Sequence, residues 1–173
     1  YQDSNGTTPV TLAGEPVGLV MDKSQGAELG PELVVNGTFD TDLTGWTPRT
    51  VAFCVWEAGT IKNSATSYNE WAKQILTLTE GLTYVCEFEI VSDSQGGGGA
   101  PRVAIFDNAS DGSQNYSFAY PTQTPDTYSF VFKANATNQL RLYKGSNTGE
   151  TVFDNISVKE LKGNHATQSI SAS

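Results

Sequence analysis

The stretch that most constrains this chain is Leu82–Val91, LTYVCEFEIV. Leu82, Tyr84, Cys86, Phe88 and Ile90 alternate with Thr83, Val85, Glu87, Glu89 and Val91. A side-chain period of two belongs to extended backbone, so this run predicts a β-strand with one face on a core. The same period recurs at short spacing: Glu32–Val35, Thr50–Glu57, Ala72–Leu78, Arg102–Phe106, Tyr116–Tyr120, Thr127–Ala134, Gln139–Lys144 and Thr151–Glu160. In Thr127–Ala134, Tyr128, Phe130 and Phe132 share a face. Only Tyr68–Gln74 has a helical look. About a third of the 173 residues are Thr, Ser, Asn or Gly, which suits turns between short strands. Eight or nine strands in this length predict an all-β antiparallel β-sandwich of the jelly-roll type.

Three parts are expected. Residues 1–30 read as an arm, with turn signals at Asn5-Gly6 and Glu15-Pro16 and a short apolar strand at Val17–Met21. Residues 31–161 form the module, and the polar residues 162–173 form a tail. No apolar run of 18 residues and no leader pattern is visible, so neither a transmembrane helix nor a signal peptide is expected. Tyr1 in place of Met suggests an excised piece of a longer protein.

Ten Lys and Arg against 19 Asp and Glu give a net charge of −9. That balance argues against nucleic acid and anionic membrane as partners. Cys54 and Cys86 are too few for a closed zinc site beside the single His165, and both sit in apolar runs. They read as free buried thiols, with one disulfide as the alternative. Gly96–Gly99 reads as a loop. The run Asp107, Asn108, Asp111, Gly112 has oxygen donors but lacks EF-hand spacing, so it reads as a turn.

Residues 32–46, ELVVNGTFDTDLTGW, resemble the opening of the carbohydrate-binding-module jelly rolls of the CBM4/9/22-like group. Gly81-Leu82-Thr83-Tyr84 matches that group's G-x-x-Y strand, and Phe153-Asp154-Asn155-Ile156-Ser157-Val158 its closing strand. The resemblance spans about residues 31–161 and implies a sugar-binding jelly roll with one structural Ca2+. It places the metal on Asp40 and Asp154, helped by carbonyls near Asn36 and Thr38. Two carboxylates on neighbouring strands would repel without a cation. The alternative is that Asp40 caps the turn and Asp154 faces solvent.

The flanks carry a second resemblance. DSNGTTPV, GEPVGLVMDKSQG and GNHATQS are similar to a segment of bacteriophage and prophage tail or virion-surface proteins. There the two halves run together ahead of a concanavalin-like lectin domain. Here the jelly roll stands between them, as an inserted module would. This implies a virion component made in the bacterial cytoplasm, with oligomerisation coming from the parent protein.

No catalytic residue is assigned. His165 lies in the polar tail, and no nucleophile motif or carboxylate pair at glycosidase spacing is evident. Sugar binding needs exposed aromatic faces flanked by polar groups. Trp46 is expected in the core. Trp56, Tyr68 and Trp71 are candidates outside it, with Trp71 and Tyr68 in the polar run NSATSYNEWAK. Trp71, Tyr143, Arg141, Glu87 and Gln74 would together make a ligand platform. The expected function is therefore non-catalytic recognition of host-surface glycan. The alternatives are a spacer or self-assembling decoration domain and an accessory module of a depolymerase.

Overall fold

The computed structural model describes residues 28–64, 70–94, 100–106, 115–119, 125–134, 138–145 and 148–162. Leu29–Leu161 forms one compact unit. A second unit comprises both flanks, and all of it but Glu28 and Lys162 lies outside the described residues. Val17–Met21, Gly96–Gly99, the Asp107–Gly112 turn, Tyr68, Tyr120 and His165 also lie outside them.

The compact unit is an antiparallel β-sandwich of the jelly-roll type. Its strands are β1 (Glu28–Glu32), β2 (Thr47–Pro48), β3 (Cys54–Glu57), β4 (Thr60–Asn63), β5 (Trp71–Leu76), β6 (Thr83–Asp93), β7 (Arg102–Phe106), β8 (Asn115–Ala119), β9 (Asp126–Lys133), β10 (Asn138–Tyr143) and β11 (Thr151–Lys162). One sheet runs β3-β4-β11-β6-β9, with β1 paired to β11. The other runs β2-β5-β10-β7-β8. No helix occurs among the described residues.

Alternation builds the core. Tyr84, Cys86, Phe88 and Ile90 of β6 meet Ala72 and Leu76 of β5, Val103 and Ile105 of β7, and Leu140 and Leu142 of β10 in one buried cluster. Each Val, Leu, Ile or Phe side chain among them contributes about 1.5–3 kcal/mol by leaving water. In β11, Phe153 and Ile156 are both buried although three residues apart, which places them out of phase on a regular strand. A register shift between Asp154 and Ser157, with Asn155 at φ 51°, restores the phase.

Several expected boundaries move. The first strand is ELGPE rather than ELVV: Leu33 still donates its amide to the Val158 carbonyl of β11 at 3.0 Å, and Val34 and Val35 lie beyond the strand. The Glu32 carboxylate caps that departure: Oε1 accepts the amides of Leu33, Val34 and Val158, and Oε2 accepts the Ser157 hydroxyl. Thr50–Glu57 is strand only from Cys54. Leu82 precedes β6 and is 38% exposed, so it does not share the buried face of that strand. The Tyr68–Gln74 run contributes strand from Trp71 onward, with no helix in its described part.

Trp46 is buried, as its position in the Gly-Trp step suggested, and its indole donates to the Asn36 carbonyl at 3.1 Å. Both cysteines are free and buried. Desolvation, with Glu70 nearby, pushes the Cys54 thiol up to about 12. Burial, with Glu32 and Glu87 nearby, pushes Cys86 up as well, so neither thiol is poised to react.

The first turn locks onto the closing strand where the Ile156 amide donates to the Gly37 carbonyl. A Cβ at Gly37 would overlap the Ile156 carbonyl. Gly37→Ala is therefore expected to destabilise the fold by about 1–3 kcal/mol in urea unfolding. An unchanged midpoint would show that this approach is not a tight one.

Candidate functional site

The outer face of the five-stranded sheet carries an unusual concentration of rings and cations. The core claims Ala72 and Leu76, Leu140 and Leu142, and Val103 and Ile105. The alternate residues of the same strands must point the other way. Those are Trp71, Lys73 and Ile75 of β5, Gln139, Arg141 and Tyr143 of β10, and Arg102, Ala104 and Phe106 of β7. Register aligns them in rows: Trp71–Tyr143–Arg102, then Lys73–Arg141–Ala104, then Ile75–Gln139–Phe106.

Arg141 is the centre. It is 1% exposed, and its guanidinium lies 4.6 Å from the Trp71 ring centroid and 4.1 Å from that of Phe106. Its Nε and Nη2 donate to Gln139 Oε1 at 3.0 and 2.8 Å, and its Nη1 donates to the Tyr143 hydroxyl at 3.2 Å. Burying a charge is costly unless it is surrounded by acceptors, and here amide oxygen, phenol and ring faces supply them. Arg102 lies 4.2 Å over the Tyr143 ring, and the Lys73 ammonium lies 5.0 Å over Trp71. Trp71, Ala104, Phe106 and Tyr143 form a buried cluster separate from the main core.

The structure brings together three of the expected platform residues, Trp71, Arg141 and Tyr143, but as a buried cluster. Trp71 is 5% exposed, which corrects the expectation of an open ring. What remains accessible is the rim, where Lys73 and Arg102 are half-buried and Ile75 is exposed. A groove of about 370 Å3 adjoins Lys73 and Ile75 and is also lined by Val35 and Thr47.

Gln74 is not on this face. Three residues from Trp71, it points to the opposite side of β5 and reads the Val35 backbone like a strand partner. Its Oε1 accepts the Val35 amide at 2.7 Å, and its Nε2 donates to the Val35 carbonyl at 2.9 Å and the Gly45 carbonyl at 3.3 Å. Glu87 lies on β6 in the other sheet, beside a groove shared with Glu32, Asn155 and Lys159. Trp56 is 42% exposed at the β3 edge, where its indole donates to the Phe39 carbonyl. Strand parity was the missed signal for Lys73, Arg102, Phe106 and Gln139: each alternates with a core residue.

At the first turn, Asp40 is exposed and close enough to Asp154 to disfavour its charge. Burial first, then Glu89 and Asp40, raise the Asp154 carboxyl, while its bond from the Asn155 amide lowers it. Asn36 is committed to the turn: Nδ2 donates to the carbonyls of Asp42 and Thr44. Its own carbonyl accepts the Trp46 indole with one lone pair. Thr38 is exposed. Among the described residues, no cluster of three or more His, Cys, Asp or Glu side chains has metal-binding geometry.

No protein-family model and no curated protein matches the chain. Solved structures do match in fold. One, described as "CBM4 structure and function", has a TM-score of 0.58 and 18% identity over 73% of this chain and 99% of its own. The CBM22-1 xylan-binding domain from Paenibacillus barcinonensis Xyn10C gives 0.54 and 9%, covering 81% and 99%. The N-terminal cellulose-binding domain of Cellulomonas fimi β-1,4-glucanase C gives 0.54 and 18%, covering 76% and 98%. The fold is that of carbohydrate-binding modules.

Because Trp71 is a buried partner of Arg141, Trp71→Ala is expected to cost about 3–5 kcal/mol of stability. Chemical denaturation checks this, and a wild-type midpoint would mean the ring is not packed as described.

Proposed function

We propose that this chain is a non-catalytic glycan-binding module of a virion-surface protein, holding the particle near a host-surface polysaccharide. The observation that carries the reading is the ring-and-cation cluster on the outer face of the five-stranded sheet. A face with no role in the core has no need of a buried guanidinium between two rings. Such a cluster fixes the half-buried Lys73 and Arg102 at its rim, beside the exposed Ile75. The fold shared with carbohydrate-binding modules supports the same reading, and the flanking segments similar to virion proteins support its setting. Weak individual sites suffice when many copies act together.

The alternative, a self-assembling spacer, would be favoured by a broad apolar patch with the aromatics buried, and the burial of Trp71, Phe106 and Tyr143 meets the second of these conditions. The four most exposed apolar residues, Val51, Val35, Val131 and Ile75, do not line one groove together; only Val35 and Ile75 share one.

A glycan array probed with the labelled chain is expected to retain at least one polysaccharide class. A Lys73→Ala/Arg102→Ala variant that still melts like the parent is expected to lose it. An array without a binder would remove the glycan-binding reading. Full retention by the variant would remove this face as the site.

The resemblance to calcium-holding jelly rolls extends the proposal to Asp40 and Asp154. A bound Ca2+ would neutralise the two charges and tie the first turn to the closing strand. Asp154 has a raised pKa in the folded chain. Without metal, the stability its proton provides at low pH is lost as pH rises through that value. Asp154→Asn should therefore melt above the parent in EDTA at neutral pH. Added Ca2+ should raise the melting temperature of the parent but not of the variant. A parent melt indifferent to EDTA and Ca2+ would remove both residues as ligands.

A further inference from the structure

We infer that a monovalent metal cation, Na+ or K+, binds inside the sandwich against the side-chain oxygens of Asn63 and Glu70.

Polar side chains close the core at one end. Register there puts Cys54 beside Asn63, Asn63 beside Thr151, and Thr151 beside Asp93, across β3, β4, β11 and β6. Asn63 lies two residues from the core residue Ile61, and Thr151 two from Phe153, so parity turns this row inward. The facing sheet adds two charges. Glu70 stands two residues before the core residue Ala72 and Lys144 two after the core residue Leu142, so the same parity points both inward. Asn63, Glu70, Lys144 and Thr151 are each less than a tenth exposed.

The contacts within this layer leave two oxygens over. Asn63 Nδ2 donates to the Glu70 carbonyl at 3.3 Å, and the Thr151 hydroxyl donates to Asp93 Oδ1 at 3.2 Å. The Glu70 carbonyl fixes the Asn63 amide, because only its nitrogen can donate. Asn63 Oδ1 and Glu70 Oε2 are both buried, and neither has a hydrogen-bond partner. An orphaned buried acceptor is costly, and a charged one more so. What satisfies these two atoms must bring a proton donor or a positive charge. Water brings protons but leaves the carboxylate charge uncompensated in the interior.

Charge selects among the cations. Glu70 and Asp93 bring two negative charges to the layer and Lys144 one positive, so one further positive charge balances it. Burial lowers the Lys144 pKa, and nearby Glu150 and Asp93 raise it. Glu150 is itself shared with Lys62 at the surface. A divalent ion would leave an excess of positive charge beside the Lys144 ammonium. Carboxylate and amide oxygens are hard donors, which disfavours a soft metal. The Cys54 thiol, pushed up to about 12 by burial and by Glu70, offers no thiolate to hold one. An ion held here joins Asn63 of one sheet to the residue that leads into β5 of the other. It thereby fixes the end of the sandwich at which the Trp71–Tyr143–Arg102 row lies.

Thermal melting of the whole chain at fixed ionic strength tests this, with NaCl or KCl replacing choline chloride. One alkali ion or both should raise the melting temperature by about 4 °C or more, and the rise should level off with concentration as one site fills. The salt with the larger rise identifies the ion. Glu70→Gln should abolish the rise, and Glu80→Gln, which removes an exposed acid outside the layer, should keep it. Backbone amide shifts on exchanging choline for the effective ion should centre on Asn63, Glu70 and Thr151. If Glu70→Gln does not fold, those shifts in the parent decide, and changes centred elsewhere overturn the inference. Equal melting of the parent in all three salts overturns it, leaving water or a proton on Glu70 as the occupant. A rise that grows without levelling, or that Glu70→Gln retains, overturns it as well. So does an Asp154→Asn chain that responds to Ca2+ and to neither alkali ion.

Discussion

A β-strand gives its side chains to two faces in strict turn, and in β5, β7 and β10 both faces are spoken for. Leu140 and Leu142 hold the sandwich together from inside, and that fixes Gln139, Arg141 and Tyr143 outside. Neighbouring strands in register then bring Trp71 and Lys73 from one side and Arg102 and Phe106 from the other. The site is thus a by-product of core packing. A one-residue slip of β10 would bury Arg141 among Phe and Ile side chains and push two leucines outward. The energy that fixes the register of the core is the energy that fixes the site.

A second constraint sits within β11, the module's closing strand. The Asn155 bulge lets β11 bury Phe153 and Ile156 on the same side, and it aims the Ile156 amide at Gly37. The Glu32 carboxylate ties the start of the module to Ser157 and Val158. Asp40 and Asp154 are neighbours because these contacts hold turn and strand together. The two ends of the module therefore meet on β11, and the electrostatics of that meeting place, with Asp154 disfavoured as an anion, follow from it.

The sheet architecture was legible because alternation is a property of sequence alone. β6, β7, β9 and β10 announce their inward faces in LTYVCEFEIV, RVAIF, TYSFVFK and QLRLY. β4 was not, because TIKN is four residues long and its hairpin turns on Ala58-Gly59, where Ala58 takes φ 51° without the Asn or Asp that would signal it. The grouping of Trp71, Arg141 and Tyr143 was also legible. Adding Gln74 to them conflicted with strand parity and holds only at helical spacing, and Glu87 belongs to the other sheet. The burial of the rings was not legible. Polar neighbours in NSATSYNEWAK suggested exposure, whereas depth depends on which strands flank β5, and those are far away in sequence.

The central claim is that the outer face of β5, β10 and β7 is where this molecule meets a glycan. Backbone amide shifts followed during titration with a polysaccharide that the chain retains test it most directly. The account predicts that the largest changes map to Lys73, Ile75, Arg102 and Gln139, with the outward residues of β6 and β9 unmoved. Changes centred on Glu87, Ser129 and Val131, or spread evenly over both sheets, would contradict it.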